Sequence, residues 1–372
     1  MKVLRRWWPL IGPSLLVTAV ALGAQLLPVS TQLQVRSVLV TTTIVVALYV
    51  FVGNSGVMSF GQVSFVAVGA FAAGLATAPA DVKPTTFPKL LPFLADLEIG
   101  NVESLLLAAA VGGMFGFSVG IPLMRLSGLS AGIATFAVLI ITNNVLRNWE
   151  AIGPGAKTLS LIPQTTFFIQ ATVGLLIVMA VAYVYQTSRN GRRLRASRED
   201  AAAAQSSGID VHRERLWAFT LSGALGGFAG GLLVHQLGSI TTQQVFLDLA
   251  FITLAMLVVG GIGSLWGAVV GALLIAGLNA FLAEAQRGIT IGSFDLELPG
   301  GTRLLALGVV MLIVLLFKPT GITGSKELTW PFRGSSPASP SSLASPSGGG
   351  AERSEAEGVF DGEAEDPSAT EP

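Results

Sequence analysis

Apolar runs without a single charged residue alternate with short polar or basic segments along most of the chain. They extend from Trp7 to Val35, Ser37 to Ala80, Ser104 to Met124, Leu126 to Leu146, Thr158 to Ser188, Leu216 to Leu247, Leu249 to Ala283 and Leu304 to Phe317. A helix that crosses a hydrocarbon core of about 30 Å needs roughly 20 apolar residues, so most of these runs read as one crossing each. Ser37 to Ala80 is far too long for one, and the Gly-Asn-Ser-Gly turn signal at Gly53 to Gly56 divides it. Leu249 to Ala283 is likewise long, with Gly260, Gly261 and Gly263 marking its break. The pattern predicts an all-α fold, a polytopic membrane helix bundle of about ten transmembrane helices. A count of eight or nine stays open, because the second divided run is slightly short for two full helices. The last run, of 14 residues, needs Arg303 and Lys318 to snorkel to the interface.

Composition agrees and adds a polarity. The chain is 51% hydrophobic and 12% charged, with a mean hydropathy of +0.68, which excludes a soluble domain as its main body. Cysteine is absent, so no disulfide framework or thiolate metal site is possible, and with 2 His a histidine metal site is not expected. The net charge of zero hides a split. Residues 334–372 hold eight acids and one Arg, whereas residues 1–333 hold 21 bases and 14 acids. Two regions follow: a transmembrane domain over 1–325, with a cytoplasmic loop at 186–215, and a Ser/Pro/Gly-rich acidic tail over 326–372. The tail is too poor in apolar residues to fold and is predicted to be disordered.

Cytoplasmic loops carry the excess of Lys and Arg, which tests the count. With the N-terminus inside, ten crossings place fourteen bases and five acids of the body on the cytoplasmic side, and seven bases and nine acids outside. Both termini are then cytoplasmic. A cleaved signal peptide is the alternative for the first run, since Lys2, Arg5 and Arg6 precede it and small residues follow near Ala21 to Ala24. Losing that run would upset the parity.

Glycines recur every fourth residue at Gly112, Gly116 and Gly120, at Gly223, Gly227 and Gly231, and at Gly263, Gly267 and Gly271. Such spacing predicts faces on which helix backbones approach closely, the principal means of helix association where lipid offers no hydrophobic drive.

Candidate chemistry is sparse. No charge lies at the centre of a predicted span, which disfavours a proton-driven carrier built on an intramembrane carboxylate, His or Lys. Gly153 to Thr158 (GPGAKT) superficially resembles a phosphate-binding loop, but Ala156 stands where that motif requires Gly. Asn54, Ser55, Ser59 and Gln62 at the broken second run, with Asn143 and Asn144 in the fifth span, are candidates for a polar substrate pathway. Hydrogen bonding between helices is the alternative use of such groups. The loop SRNGRRLRASREDAAAAQSSGIDVHRER, Ser188 to Arg215, contains good helix formers from Arg192 to Ser206, with Gly208 placed as a helix stop. Fixing topology alone would account for its basic charge.

Arg198, Glu199 and Asp200, followed by AAQSSGI from Ala203 to Ile209, resemble the coupling loop of bacterial ABC importer permeases, specifically the LivM-type subunit of branched-chain amino acid transporters. GNSGVMSFGQVSFVAVGAFAAG (Gly53 to Gly74), RLSGLSAGIATFAVLIITNNVLRNW (Arg125 to Trp149) and LAMLVVGGIGSLWGAVVGALL (Leu254 to Leu274) are similar to further signatures of the family, in its order. The resemblance covers roughly residues 35 to 320. It implies a type II ABC importer permease fold in the bacterial inner membrane. The implied partners are a second permease subunit, two cytoplasmic ATPases and an external substrate-binding protein, with no nucleic acid. It also implies that this chain is not an enzyme and binds no cofactor, ATP and Mg sitting on the ATPases.

On that resemblance, Arg198, Glu199 and Asp200 offer charge-assisted contacts to an ATPase, and Ala203, Ala204 and Gly208 permit close backbone approach. The chain departs from the family pattern at Gln205, where Glu is frequent, at Ser207, where an apolar residue is usual, and at Gln62, where His is common; the acidic tail has no counterpart. A urea or short-chain amide importer shares these signatures, a ribose-type sugar permease is more distant, and an ion-gradient carrier or a membrane scaffold are readings from other classes.

Overall fold

Helices follow the apolar runs in the computed structural model, which describes residues 2–81, 83–286, 289–291, 294–296, 302–318, 320–324 and 327. In chain order they are α1 (Lys2–Ala24), α2 (Val29–Ser55), α3 (Gln62–Thr77), α4 (Lys83–Thr86), α5 (Pro92–Ala95), α6 (Asn101–Leu123), α7 (Gly128–Asn148), α8 (Phe168–Thr187), α9 (Arg189–Glu199), α10 (Ala201–Ser206), α11 (Val211–Leu237), α12 (Leu247–Gly260), α13 (Leu265–Gln286) and α14 (Thr302–Phe317). A short antiparallel ladder, β1 (Ile289–Ile291) and β2 (Phe294–Leu296), pairs Thr290 with Asp295 between α13 and α14. The predicted tail, Glu327 apart, lies outside the described residues. The described residues belong to one unit, Met1–Trp330.

Seven of the described helices, α1, α2, α6, α7, α8, α11 and α13, are long and apolar enough to cross a bilayer. The remaining predicted crossings fall on shorter apolar helices: α3, α12 and the Leu305–Val314 portion of α14. Both divided runs break at the expected glycines. α2 ends at Gly56 with φ 70°, and α12 ends at Gly261 with φ 119°, a conformation that residues with a Cβ rarely adopt.

A helix that is apolar on every side belongs at the centre of a bundle, and α2 occupies that place. Nearly every residue from Val38 to Ser55 is buried. Its two fully buried threonines are accommodated by bonding back to their own helix, Thr42 Oγ1 to Val38 O at 2.7 Å and Thr43 Oγ1 to Leu39 O at 2.9 Å. Neither of these two hydroxyls is then left bare in an apolar surround.

The second central element is α11, which packs most extensively on α6 and then on α3 and α2. Its glycines make this possible. A Cβ on Gly112 would stand 2.6 Å from Gly223 O, and one on Gly223 would stand 2.8 Å from Gly112 O. A Cβ on Gly227 would collide with Ala108 O, one on Gly69 with the Gly227 backbone, and one on Gly230 with Val66 O. Elsewhere on the same faces the approach is looser. Gly231 and Gly120 meet side chains, and a Cβ on Gly116 would have its nearest neighbour at 3.4 Å.

The third predicted glycine face differs from expectation. Gly263 lies in the turn before α13, so it shares no helical face with Gly267 and Gly271. The partner is Gly260 on α12: a Cβ there would collide with Gly267 O, and one on Gly271 with Met256 O. The physical reason is the turn itself, because positive φ at Gly261 interrupts the helical repeat that four-residue spacing presupposes.

Connections sort to two ends of the bundle. At one end Leu159 and Ile240 exchange backbone bonds of 2.9 and 2.8 Å, Leu91 N donates to Ala151 O at 3.0 Å, and Lys89 pairs with Glu150 at 2.7 Å. Lys83, 1% exposed, donates its Nζ to Leu97 O and Leu94 O and so cinches the connection that contains α4 and α5. At the opposite end lie the α2–α3 corner, α9, α10, the α12–α13 turn and the segment after α14. This last segment docks on the turn through Ile322 N to Val259 O at 2.9 Å and Thr323 N to Gly260 O at 3.1 Å.

Candidate coupling site and polar pathway

The Arg-rich loop is not a single helix from Arg192 to Ser206, as propensity predicts, but two. Ser188 accepts a bond from Gly191 N at 3.1 Å and starts α9, which buries Leu194 and Ser197 against the body. At Asp200 the backbone extends (φ −148°, ψ 109°) and the carboxylate accepts from Ala202 N at 2.8 Å and Ala203 N at 3.0 Å, starting α10. A short acidic side chain competes well for free backbone donors, so a cap replaces continuation. Gly208, at φ 79°, then reverses the chain and Asp210 caps α11 by accepting from Arg213 N at 3.0 Å. The result is an exposed, one-and-a-half-turn projection between two anchored helices.

The anchor is a polar joint at the end of α2. Arg195 donates Nε to Asn54 Oδ1 at 2.8 Å and Nη2 to Tyr49 Oη at 2.7 Å and Gln186 Oε1 at 3.2 Å. Tyr49 in turn donates to Gln186 Oε1 at 2.6 Å. Arg198 donates Nη1 to Gly53 O at 3.1 Å, with its stem against Gly56. One guanidinium thus binds groups of α2 and α8 while a second satisfies a carbonyl in the last turn of α2, where helices leave carbonyls unpaired. Glu327 closes the joint from below by accepting from Leu265 N, the first residue of α13, at 2.9 Å. Burial pushes the Glu327 carboxyl above the usual range, opposed by the Leu265 N–H and by Arg195.

The six coupling residues inferred from sequence therefore separate by role. Glu199, Ala203 and Gly208 are exposed, and a Cβ on Gly208 would meet nothing within 4 Å. Asp200 spends its carboxylate on the cap, Ala204 is buried, and Arg198 binds its own chain. Arg195, Tyr49, Gln186 and Glu327 were not singled out by sequence reasoning. One Arg among seven in a basic loop carries no mark of its own, although Tyr49 and Gln186 were visible as polar groups inside apolar runs.

The six pathway candidates do not meet in one lining. Asn54 is fully buried and engaged at both ends, donating Nδ2 to Val50 O at 2.8 Å and accepting from Arg195. Ser55 Oγ accepts from Val57 N at 3.1 Å. Gln62 Oε1 lies 2.9 Å from Ser222 Oγ, while Gln62 Nε2 and Ser59 Oγ are buried with no partner among the described residues. Asn143 and Asn144 lie towards the far end of α7, donating to Thr242 O and Ile140 O respectively, both at 3.1 Å. Asn54, and in part Gln62, hold helices together; Ser55 borders a cavity of about 790 Å³ that opens beside the joint.

A many-helix apolar bundle with close glycine seams, a polar joint under a basic projection and breaks in two helices defines a multi-pass membrane protein of the permease class. The family model described as "Branched-chain amino acid transport system / permease component" matches residues 30–315, and the chain belongs to that family. It is 26% identical over 310 residues to the high-affinity branched-chain amino acid transport system permease protein LivM of Escherichia coli, covering 74% of this chain and 65% of the relative. It is 24% identical over 306 residues to a probable branched-chain amino acid transport permease protein LivM of Methanocaldococcus jannaschii, covering 75% and 89%. It is 26% identical over 234 residues to the autoinducer 2 import system permease protein LsrC of Yersinia pseudotuberculosis, covering 59% and 62%. The chain spans about 65% of the length of the Escherichia coli and Salmonella relatives it matches. No solved structure matches it.

Proposed function

We propose that this chain is the translocating subunit of an ATP-driven importer for branched-chain amino acids in a bacterial inner membrane. It crosses the membrane about ten times with both termini in the cytoplasm. It works with a second, paralogous permease subunit, two cytoplasmic ATPases that bind ATP and Mg, and an external substrate-binding protein. The observation that carries this reading is the α9–α10 projection, exposed at its tip through Glu199, Ala203 and Gly208 and tied at its base through Arg195 and Arg198 to α2, the most buried of the seven long apolar helices. A partner that pushes on the tip moves α2, because charge-assisted bonds between rigid elements transmit displacement with little give. ATP-driven closure of the ATPases would supply that push and expose the pathway to alternate sides.

Two experiments test this. Uptake of leucine, urea and a small amide is measured in a strain lacking the chain, with the cognate binding protein present; leucine uptake restored by the chain and lost when the ATPase is inactivated is the expected result. Transport that survives ATPase inactivation identifies an ion-gradient carrier instead. Substitution of Gly208 or Glu199 is expected to abolish uptake while the subunit stays in the membrane, and unchanged uptake in both variants rejects the coupling role.

A further inference from the structure

The segment after α14 grips the α12–α13 turn from both sides of the break. Gly321, at φ 82°, brings the chain back so close that a Cβ on it would collide with Gly261 Cα. Ile322 N then donates to Val259 O at 2.9 Å and Thr323 N to Gly260 O at 3.1 Å. Thr323 Oγ1 donates to the same Gly260 O at 2.9 Å and lies 3.1 Å from Ser264 Oγ, which accepts from Gly267 N at 2.9 Å. Glu327 Oε1 accepts from Leu265 N at 2.9 Å. The two carbonyls belong to the last turn of α12 and the two N–H groups to the first turn of α13, the groups that a helix leaves unpaired at its ends. The segment is therefore a clasp across the break.

The clasped turn also abuts the coupling joint. A Cβ on Gly53, in the last turn of α2, would stand 2.7 Å from Ile262 O, so the end of α2 and the turn approach backbone to backbone. Gly53 O is the carbonyl that Arg198 of α9 serves at 3.1 Å. Arg195, which binds Asn54 in the same turn of α2, also draws the Glu327 carboxyl down against the upward push of burial. Two routes thus run from α9 to the α12–α13 break: by contact through Arg198, Gly53 and Ile262, and by charge through Arg195 and Glu327. Both fail if the turn is free to slide, and the bonds to Val259, Gly260 and Leu265 remove that freedom. Backbone groups have no rotamers with which to absorb a displacement.

We propose that this clasp is a second coupling element, in which Thr323 and Glu327 are positioning residues that make the α12–α13 break move as one body with the α9–α10 projection. It acts by staying closed throughout the transport cycle, not by opening. Without it, a push on the projection moves the end of α2 and leaves the turn behind. This role rests on the transport reading above but not on the identity of the transported solute.

Thr323→Val keeps the branched shape of the side chain and removes its hydroxyl. In reconstituted transporter it is expected to lower leucine transported per ATP hydrolysed roughly threefold to tenfold, the size of one lost hydrogen bond. ATP hydrolysis is retained, and Thr323→Ser is expected to restore the ratio. The chain contains no cysteine, so Ser264→Cys combined with Thr323→Cys supplies its only pair of thiols. Reduced, the pair is expected to show the low ratio; oxidised to a disulfide, it is expected to return to the ratio of the unmodified chain. Loss of uptake on oxidation means that the clasp must open and overturns the proposal, as does a ratio left unchanged by Thr323→Val. Should Thr323→Val not assemble, the reduced and oxidised pair carry the comparison. If the unmodified chain takes up no leucine, or takes it up with the ATPases inactive, the transport reading fails, and hydrogen exchange at Leu265 N–H in the purified chain still reads the link between α9 and the turn. Exchange at least about threefold faster in Arg195→Gln, again the size of one lost hydrogen bond, upholds that link. Unchanged exchange overturns it.

Discussion

Replacing Arg195 by Lys tests the joint between projection and core most directly. The guanidinium serves Asn54 Oδ1 at 2.8 Å with one nitrogen and Tyr49 Oη at 2.7 Å with another, from a planar fork. A single ammonium at the end of a flexible stem cannot hold both directions at once. One charge-assisted bond is therefore lost, at about 1.5–3 kcal/mol, and if it falls on Asn54 it leaves a fully buried oxygen with no donor. Since 1.4 kcal/mol is a factor of ten, the equilibrium between the joined and unjoined arrangements shifts by roughly one to two orders of magnitude. The assay is leucine transported per ATP hydrolysed in reconstituted transporter. The expected result is a fall of at least about tenfold in that ratio with ATPase activity retained, because the ATPases still close but move α2 poorly. A double-mutant cycle with Asn54→Ala separates this from a general loss of stability: residues bonded to each other couple by about 0.5–3 kcal/mol, whereas independent sites add. Additive effects of Arg195→Lys and Asn54→Ala on the ratio would refute the reasoning.

Further predictions concern packing and caps. Gly227→Ala drives a methyl into Ala108 O and is expected to destabilise the bundle by about 1–3 kcal/mol, whereas Gly116→Ala, with its nearest neighbour at 3.4 Å, is expected to be neutral or stabilising; midpoints of denaturation in mixed detergent compare the two. Glu327→Ala leaves Leu265 N without its acceptor and is expected to cost about 1–3 kcal/mol, while Glu327→Gln keeps an acceptor there and relieves the buried carboxyl; protease sensitivity of the segment after α14 distinguishes them. Asp200→Ala removes the cap of α10 at a cost of about 0.5–2 kcal/mol, and Asp200→Ser restores most of it. Hydrogen exchange over Ala201–Ser206 reads that difference, and equal exchange in both variants would sink the assignment.

Much of the architecture was legible because it depends on one-dimensional quantities. A backbone in lipid must satisfy its own polar groups, so an apolar run of sufficient length has helix as its only outcome. The breaks were legible for a similar reason: positive φ at Gly56 and Gly261 is a local property that glycine tolerates and other residues rarely adopt. Spacing also identified Gly112, Gly223 and Gly227 as close-approach positions, and in the structure they meet across α6 and α11. It failed at Gly263, where the turn interrupts the repeat, and it could not rank Gly116 against Gly227. Distance to a backbone on another helix is not encoded by four-residue spacing alone.

The site was less legible. The basic loop announced itself by charge, and the family resemblance supplied a role, but propensity ran one helix through Asp200. A capping carboxylate divides it, because hydrogen bonds to free backbone donors outweigh a few tenths of a kcal/mol of helix propensity. Asn54 was visible as a polar residue in an apolar run; that it faces Arg195, 141 positions away, was not. Glu327 looked like the start of a solvated tail and is instead a half-buried acceptor for the first residue of α13. By itself, the sequence determined a polytopic helical membrane protein, its breaks and the family it resembles, since hydropathy, glycine and ordered motifs are properties of the chain read in order. Only the tertiary structure decided which polar groups hold helices together and which face a cavity. Those roles depend on distances between residues far apart in the chain, and such distances exist only once the helices have packed.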